Sequence, residues 1–441
     1  MLQSMKNKFV IVLFFVLVAC EDQYEVTHKY SRLISQSKTY PVYLDMSEIG
    51  NIQVKNSAIP ATPFKIVSND KYYFVGDMMK GVHVYKMQGE YLCFIECKYI
   101  KAFDVIDDFL FCNNFVDLVV LDVTNPLQTT VRHREINHFN RFSCSGEPWN
   151  IPSSYEYWNI PYEEGKGCVV GHQQYTLTGI VTEQQPELDF SEYDQLYGHL
   201  TTTDIPESWT TNFPENDKPY TGIIKVGDDR IYTYGKCQSW TIYTFQGGIF
   251  RKTEEHHWTD PRGNYHPPTY YGNTRPVRMI NKDGIIYIMN TLSYQPASTG
   301  LFDCIMYSES IYVQSYYSLY QPDYACIDAT YIASLKTFFV LTRNSIRTVS
   351  IAEDNPHMHK YLEYNILHGA VTIIEAQEKL ITLGDGLSVY IPTENGIQFL
   401  KKYPDISGTS MMKNGNILIV AHKQGLSFYD ISDLGNIKLV K

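Results

Sequence analysis

Short apolar runs, each closed off by glycine, proline, asparagine or aspartate, recur along most of this 441-residue chain. Tyr72-Tyr73-Phe74-Val75, Phe109-Leu110-Phe111-Cys112, Leu380-Ile381-Thr382-Leu383 and Ile417-Leu418-Ile419-Val420 are examples. Runs of this length between turn formers predict strands rather than helices. They are continuous rather than alternating, which is the pattern of strands covered on both faces. Each is followed by a second apolar strand entered through glycine or aspartate. These are Gly81-Val82-His83-Val84-Tyr85, Asp117-Leu118-Val119-Val120-Leu121, Gly386-Leu387-Ser388-Val389-Tyr390 and Gly425-Leu426-Ser427-Phe428-Tyr429.

The unit repeats about every 38 to 50 residues, the length of a propeller blade of three or four strands. One blade cannot bury its own faces, and stacking blades around an axis solves that problem. More divergent units occur near Ile231–Tyr243, Gly284–Ile288 and Phe338–Val349. The expected fold is therefore all-β, a β-propeller of seven blades, with six or eight left open. Residues 140–330 interrupt the repeat with long insertions in the middle blades. A pair of β-sandwiches would not explain the common spacing. Met46-Ser47-Glu48-Ile49-Gly50-Asn51-Ile52-Gln53-Val54 aligns with Ile431-Ser432-Asp433-Leu434-Gly435-Asn436-Ile437-Lys438-Leu439. That match predicts a ring closed by strands from both chain ends, leaving no edge open to aggregation.

The first twenty residues follow another pattern. Lys6 and Lys8 precede an apolar run from Phe9 to Ala19, which stops at Cys20. The run is too short for a membrane-spanning helix, which needs about 20 residues, and reads as a secretory signal peptide. Leu17-Val18-Ala19-Cys20 resembles the lipobox of bacterial lipoproteins. The resemblance implies cleavage between Ala19 and Cys20 and acylation of Cys20. Two or three acyl chains, at about 0.8 kcal/mol per buried CH₂, anchor stably where one does not. Glu21-Asp22 resembles the surface-export signal of Bacteroidota lipoproteins.

Leu118-Val119-Val120-Leu121-Asp122-Val123, followed by Thr124-Asn125-Pro126, is similar to the repeat of LVIVD-repeat lipoproteins of Bacteroidota type, as is Gly425 to Val440. Clear repeats cover residues 65–132 and 371–441. The expected organisation is a signal peptide at 1–19, a flexible tether at 20–40 and a propeller at 41–441. The expected location is the outer membrane, on the cell surface or the periplasmic face.

Composition narrows the partners. Tyrosine, with 36 copies, favours strands. Removing Lys6 and Lys8 from the 37 basic residues leaves 35 against 48 acids, a net charge of −13. Such a balance speaks against a phosphate-neutralising surface and hence against nucleic acid. Beyond Cys20 lie Cys93, Cys97, Cys112, Cys144, Cys168, Cys237, Cys304 and Cys326, scattered without a disulfide framework. Most read as buried free thiols, and their pairing stays open.

No catalytic signature stands out. His256, His257, Asp260 and His266 are zinc-ligand types, but no helix places the adjacent histidines on one face. That stretch reads as a solvated loop, and His357-Met358-His359, after Asn355-Pro356, as a turn between blades. Asp107-Asp108 and Asp228-Asp229 read as turn acids. The insertion from Phe142 to Tyr220 carries Trp149, Tyr155, Tyr157, Trp158, Tyr162, Tyr193, Tyr197 and Trp209. These aromatics are expected to pack the insertion onto the blades, and in second place to meet a sugar or a protein partner.

The expectation is a non-catalytic binding or scaffolding module, with no catalytic residue, metal or cofactor assigned and its ligand-binding residues unknown. The alternative is a propeller-fold hydrolase or lyase acting on polysaccharide or peptide. Acids or histidines converging at an open ring face would mark the alternative.

Overall fold

A computed structural model describes residues 30–44, 50–136, 138–141, 162–163, 166–201, 222–234, 240–246, 249–256, 274–282, 285–292, 302–308, 312–314, 327–342, 345–351, 359–366, 369–393 and 396–441. Within them the chain is almost wholly β, and the strands form eight small sheets. Seven are up-and-down antiparallel meanders of four consecutive strands, the first carrying an extra edge strand. The first spans Pro63–Ser68, Tyr72–Asp77, Gly81–Lys86 and Tyr91–Glu96, and the second Phe103–Ile106, Phe109–Asn114, Asp117–Asp122 and Thr130–Glu135. The third, fourth and fifth begin with Gly222–Val226, Thr274–Lys282 and Asp328–Ile332. The sixth and seventh begin with Thr372–Ala376 and Ser410–Asn414.

The opening strand of each meander neighbours the opening strand of the next, and that of the seventh neighbours that of the first. Sheets radiating from neighbouring inner strands are the layout a propeller requires. Burial follows the same order. Tyr73–Asp77 and Phe338–Leu341 are buried throughout, whereas the outermost strands Thr130–Glu135 and Gly396–Tyr403 are largely exposed. The continuous apolar runs are thus middle strands, covered on both faces by the neighbouring sheets.

Apolar side chains fill the gaps between sheets. Val84, Cys93, Ile95, Phe103, Leu110 and Val119 join the first sheet to the second. Ile66, Tyr73, Val75, Ile419, Ala421 and Phe428 join the seventh back to the first. At that junction the Tyr73 and Phe428 rings are 5.8 Å apart, and Asn414 Nδ2 donates to the Tyr73 hydroxyl at 3.2 Å.

Closure therefore differs from the expectation. Among the described residues no N-terminal strand enters the seventh sheet, which ends with Lys438–Leu439 from its own meander. Gln53–Lys55 instead pairs with Tyr91–Glu96 on the outside of the first sheet. The ends of the aligned motifs, Gln53–Val54 and Lys438–Leu439, both lie in outermost strands without sharing a sheet. Apolar packing between inner and middle strands joins the last sheet to the first.

The eighth sheet is an addition. Ser31–Tyr43, which overlaps the expected tether, is a long strand antiparallel to Gly167–Thr182 from the middle insertion. Their register runs from Ser31↔Thr182 to Val42↔Gly171, with a bulge at Val42/Tyr43. Among the described residues no helix is long and apolar enough to cross a membrane.

Candidate functional site

The two-stranded ribbon is the feature that the repeat does not account for. Its strands alternate, as a half-covered ribbon must. One face carries Leu33, Ser35, Ser37 and Thr39 opposite Ile180, Thr178, Thr176 and Gln174, all exposed. Leu33 and Ile180 face each other across the strands at 70% and 68% exposure. Next to them, Ser35 and Thr178 hydroxyls meet at 2.8 Å, and Ser37 and Thr176 at 2.7 Å. Ile34, Gln36, Tyr175 and Leu177, on the other face, are partly covered. Leu188 N–H donates to Gln36 Oε1 at 3.1 Å, holding the returning chain against that face.

A tyrosine cluster fixes the ribbon's lower half. The helix Ser191–Tyr197 lays Tyr197 against Tyr175, with ring centroids 4.0 Å apart and planes 12° apart. Tyr193 packs beside both, and Tyr40 meets Tyr175 edge-on at 5.9 Å. Asp194 accepts from Lys38 Nζ at 2.6 Å and from the Tyr40 hydroxyl at 2.7 Å. Those bonds, Lys38's first, hold the Asp194 carboxyl below the usual range. Burial, then the Asp194 carboxylate, pushes the Tyr40 hydroxyl up to about 12. Below the tyrosines, Tyr40, Val42, Leu44 and Leu200 pack on Phe115 and Val116, at the turn between two strands of the second sheet. Tyr193 and Tyr197 thus pack the insertion onto the body, the role expected first for them. Trp149, Tyr155, Tyr157, Trp158 and Trp209 lie outside the described residues.

Among the described residues, acids and histidines converge at two other places, each with its histidine buried. Glu135 Oε1 lies 3.3 Å from His138 Nδ1, and His138 Nε2 lies 2.8 Å from Thr233 Oγ1. Glu135 Oε2 accepts from the Tyr243 hydroxyl at 2.6 Å. The acid–histidine–hydroxyl order is that of a nucleophile relay. Thr233, however, is 0% exposed on a strand of the third sheet, and His138 is 2% exposed, so no substrate reaches the hydroxyl. Hydrogen bonding from His138, with help from Tyr243, pulls the Glu135 carboxyl down to about 2.

The second place is Asp77 and His83 in the first sheet, 3.3 Å apart and buried. Backbone N–H groups of Ala61 and Thr62 donate to Asp77 and lower its carboxyl despite burial. Burial lowers His83, whose ring lies 4.6 Å from Phe94 and whose Nδ1 has no hydrogen-bond partner among the described residues. Neutral His83 therefore acts as a core residue. Sequence reading had passed over both clusters, because their members come together only when strands pair or sheets meet.

The other sequence candidates separate. His256 ends the outer strand Ile249–His256, and His359 opens His359–Asn365 on another sheet. His257, Asp260, His266 and His357 lie outside the described residues, as do Ala19, Cys20 and the rest of the expected signal and lipid site. Among the described residues no group of three or more metal-ligand side chains gathers. Asp107, Asp108, Asp228 and Asp229 sit at turns between strands, as expected. Cys93, Cys97 and Cys112 are buried free thiols.

No protein-family profile matches the chain, and no curated protein matches it. Solved structures similar to it include a protein from Lactobacillus plantarum, at 9% identity and a TM-score of 0.47, covering 85% of this chain and 97% of that one. The Dos1 propeller is similar at 10% identity and a TM-score of 0.47, covering 91% and 86% respectively. BamB from Moraxella catarrhalis is similar at 8% identity and a TM-score of 0.42, covering 90% and 97%. Likenesses this distant carry no argument, and the architecture rests on the sheets themselves.

Proposed function

We propose that the chain is a seven-bladed β-propeller lipoprotein of the LVIVD-repeat, Bacteroidota type, which binds or scaffolds a partner and catalyses nothing. Seven consecutive meanders with neighbouring inner strands support the blade number. The lipobox-like Leu17-Val18-Ala19-Cys20 supports a lipid on Cys20, and Glu21-Asp22 supports export to the outer membrane surface. The strand Ser31–Tyr43 leaves about ten residues after Cys20 as tether, a span of up to ~35 Å when extended.

One observation carries the binding reading. In the described acid–histidine clusters both histidines and the Thr233 hydroxyl are buried, while the ribbon exposes an apolar pair and a row of hydroxyls. A rigid scaffold with an open appended surface suits recognition of a protein or glycan. The partners are thus the membrane, through lipid, and a protein or glycan, through the ribbon and insertion loops.

Pull-down of the mature protein from solubilised membranes tests the reading. A stoichiometric partner that is lost when Leu33 and Ile180 are both changed to Ser supports it. Turnover of a glycan or peptide panel by the purified protein overturns it. Cys20→Ser should abolish lipid labelling, and unchanged membrane retention would sink the anchor.

A further inference from the structure

Cys97 and Cys112 sit at the junction of the first and second sheets, with their sulfurs 3.8 Å apart and both side chains 0% exposed. They come from different elements. Cys97 follows the last strand of the first sheet, and Cys112 lies in the second strand of the second. Their approach is held by the backbone between them. Asn113 Oδ1 accepts from the N–H groups of Lys101 at 2.7 Å and Ala102 at 2.8 Å. Asn113 Nδ2 donates to the carbonyls of Tyr99 at 3.1 Å and Phe115 at 3.0 Å. Asn114 Nδ2 donates to the Lys98 carbonyl at 2.8 Å. The connection 98–102, directly after Cys97, is therefore pinned to the residues directly after Cys112. Cys97 N–H also donates to the Lys80 carbonyl at 3.1 Å.

We infer that Cys97 and Cys112 are a disulfide site, closed in the exported chain to stitch the first two blades together. The inference that cells close it rests on the export proposed above, because cytosolic reductants keep such thiols apart. An S–S bond is about 2.05 Å long, so the sulfurs must approach by less than ~2 Å.

The bond forms by exchange with a disulfide-bearing oxidant, such as glutathione disulfide or a thiol oxidase of the export compartment. The Cys97 thiolate attacks one oxidant sulfur, forms a mixed disulfide and expels the first oxidant thiolate. The Cys112 thiolate then attacks the Cys97 sulfur, forming the Sγ–Sγ bond and expelling the second. Two electrons pass to the oxidant, and the two cysteine protons end on its two thiols. Exchange needs thiolates and access, and the folded core denies both. Hydrogen bonding to Cys97, together with burial, pushes the Cys112 thiol well above its ordinary range. Closure therefore belongs to folding, as the two sheets come together and before their core excludes the oxidant, and the finished bond is shielded from reductant.

Cys93 supplies an internal control. It is equally buried, but its sulfur points to the Pro126 carbonyl at 3.5 Å. The test denatures and reduces the chain from residue 20 onward, carrying Cys20→Ser, and refolds it in a mixed glutathione buffer. Alkylation in denaturant followed by peptide mass mapping should then show a Cys97–Cys112 cross-link, with Cys93 alkylated. The oxidised protein should melt several degrees above the Cys97→Ala/Cys112→Ala variant. Alkylation of both Cys97 and Cys112 after refolding would overturn the site. Protein isolated from cells should carry the same cross-link. If it forms on refolding but is absent from cells, the export reading fails and the site stands.

Discussion

Asp104 and Asp328 serve two different seams with the same backbone device. Each is 8% exposed on the inner strand of its sheet. Each uses Oδ1 to accept the N–H of the next residue, Val105 at 2.9 Å in one case and Ala329 at 2.8 Å in the other. Each uses Oδ2 to accept an N–H from the inner strand of the following sheet, Lys225 or Ile373, at 3.0 Å in both. Each Oδ2 also receives a side-chain donor. Asp104 Oδ2 receives the Lys65 ammonium at 2.8 Å, from the preceding sheet, whereas Asp328 Oδ2 receives the Thr372 hydroxyl at 2.7 Å. The Lys65 ammonium also donates to the carbonyls of Phe103 at 2.7 Å and Ile223 at 3.3 Å. One carboxylate therefore ties three consecutive sheets, and the other ties at least two. Neighbouring sheets need their inner strands linked, and a short carboxylate can do it wherever a donor comes within reach. An ammonium serves at Asp104 and a hydroxyl at Asp328.

Removing the carboxylates should separate the two seams. Asp104→Ala leaves a Lys65 ammonium that is only 26% exposed without its counter-ion, besides orphaning two backbone donors. A cost of about 3 kcal/mol is expected. Asp328→Ala removes the acceptor of the Thr372 hydroxyl and of two backbone donors, contributions that together come to about 2 kcal/mol. Native-state hydrogen exchange at Lys225 and Ile373 reads each seam directly. Equal loss of protection in the two variants would erase the distinction drawn between them.

Acid should act at Glu135. Its carboxyl is held at about 2 when folded, against an ordinary value near 4.5. A depressed carboxyl stabilises the fold fully above the unfolded value. That contribution is lost as pH falls through the window from about 4.5 to about 2, and amounts to at most about 3 kcal/mol. Glu135→Gln should flatten stability against pH across that window, measured by urea midpoints. An unchanged slope would show that other carboxylates govern acid unfolding. Glu135 thus reaches the third sheet through Tyr243 and lies beside His138, whereas Asp104 reaches it through the Lys225 N–H.

What the sequence disclosed follows from how local each signal is. Phe109–Cys112 and Ile417–Val420 announce middle strands by their own composition, and the glycines before the third strands mark tight entries. Gly386 and Gly425 have φ of 112° and 125°, a region that disfavours side chains. The ribbon strand Ser31–Tyr43 was illegible as a strand. Its upper half is polar, with few apolar residues to set a period, and its partner lies about 140 residues away across an insertion. Asp104 was equally silent, since Lys65 and Lys225 flank it only once three sheets have met. The match between residues 46–54 and 431–439 showed the opposite failure. A real local likeness reported an edge position and was read as a shared sheet.

The smallest effect is the most pointed. Thr372→Val keeps the shape of the side chain and removes only the hydroxyl that donates to Asp328. Asp328 retains the N–H groups of Ala329 and Ile373, so the carboxylate stays hydrogen-bonded. One charge-assisted bond from a neutral donor is worth about 1.5 kcal/mol, and the valine methyl group recovers part of that within the seam. A net loss of about 1 kcal/mol is expected, with Ile373 protection in hydrogen exchange falling by roughly five-fold. If Thr372→Val instead costs as much as Asp328→Ala, the hydroxyl holds the seam and the backbone bonds merely follow. The device shared with Asp104 would then be a coincidence of geometry, because Asp104 has no hydroxyl in that role among its described partners. If the loss stays near the expected value, the backbone bonds are the common element. Lysine and threonine are then two ways of finishing the same joint.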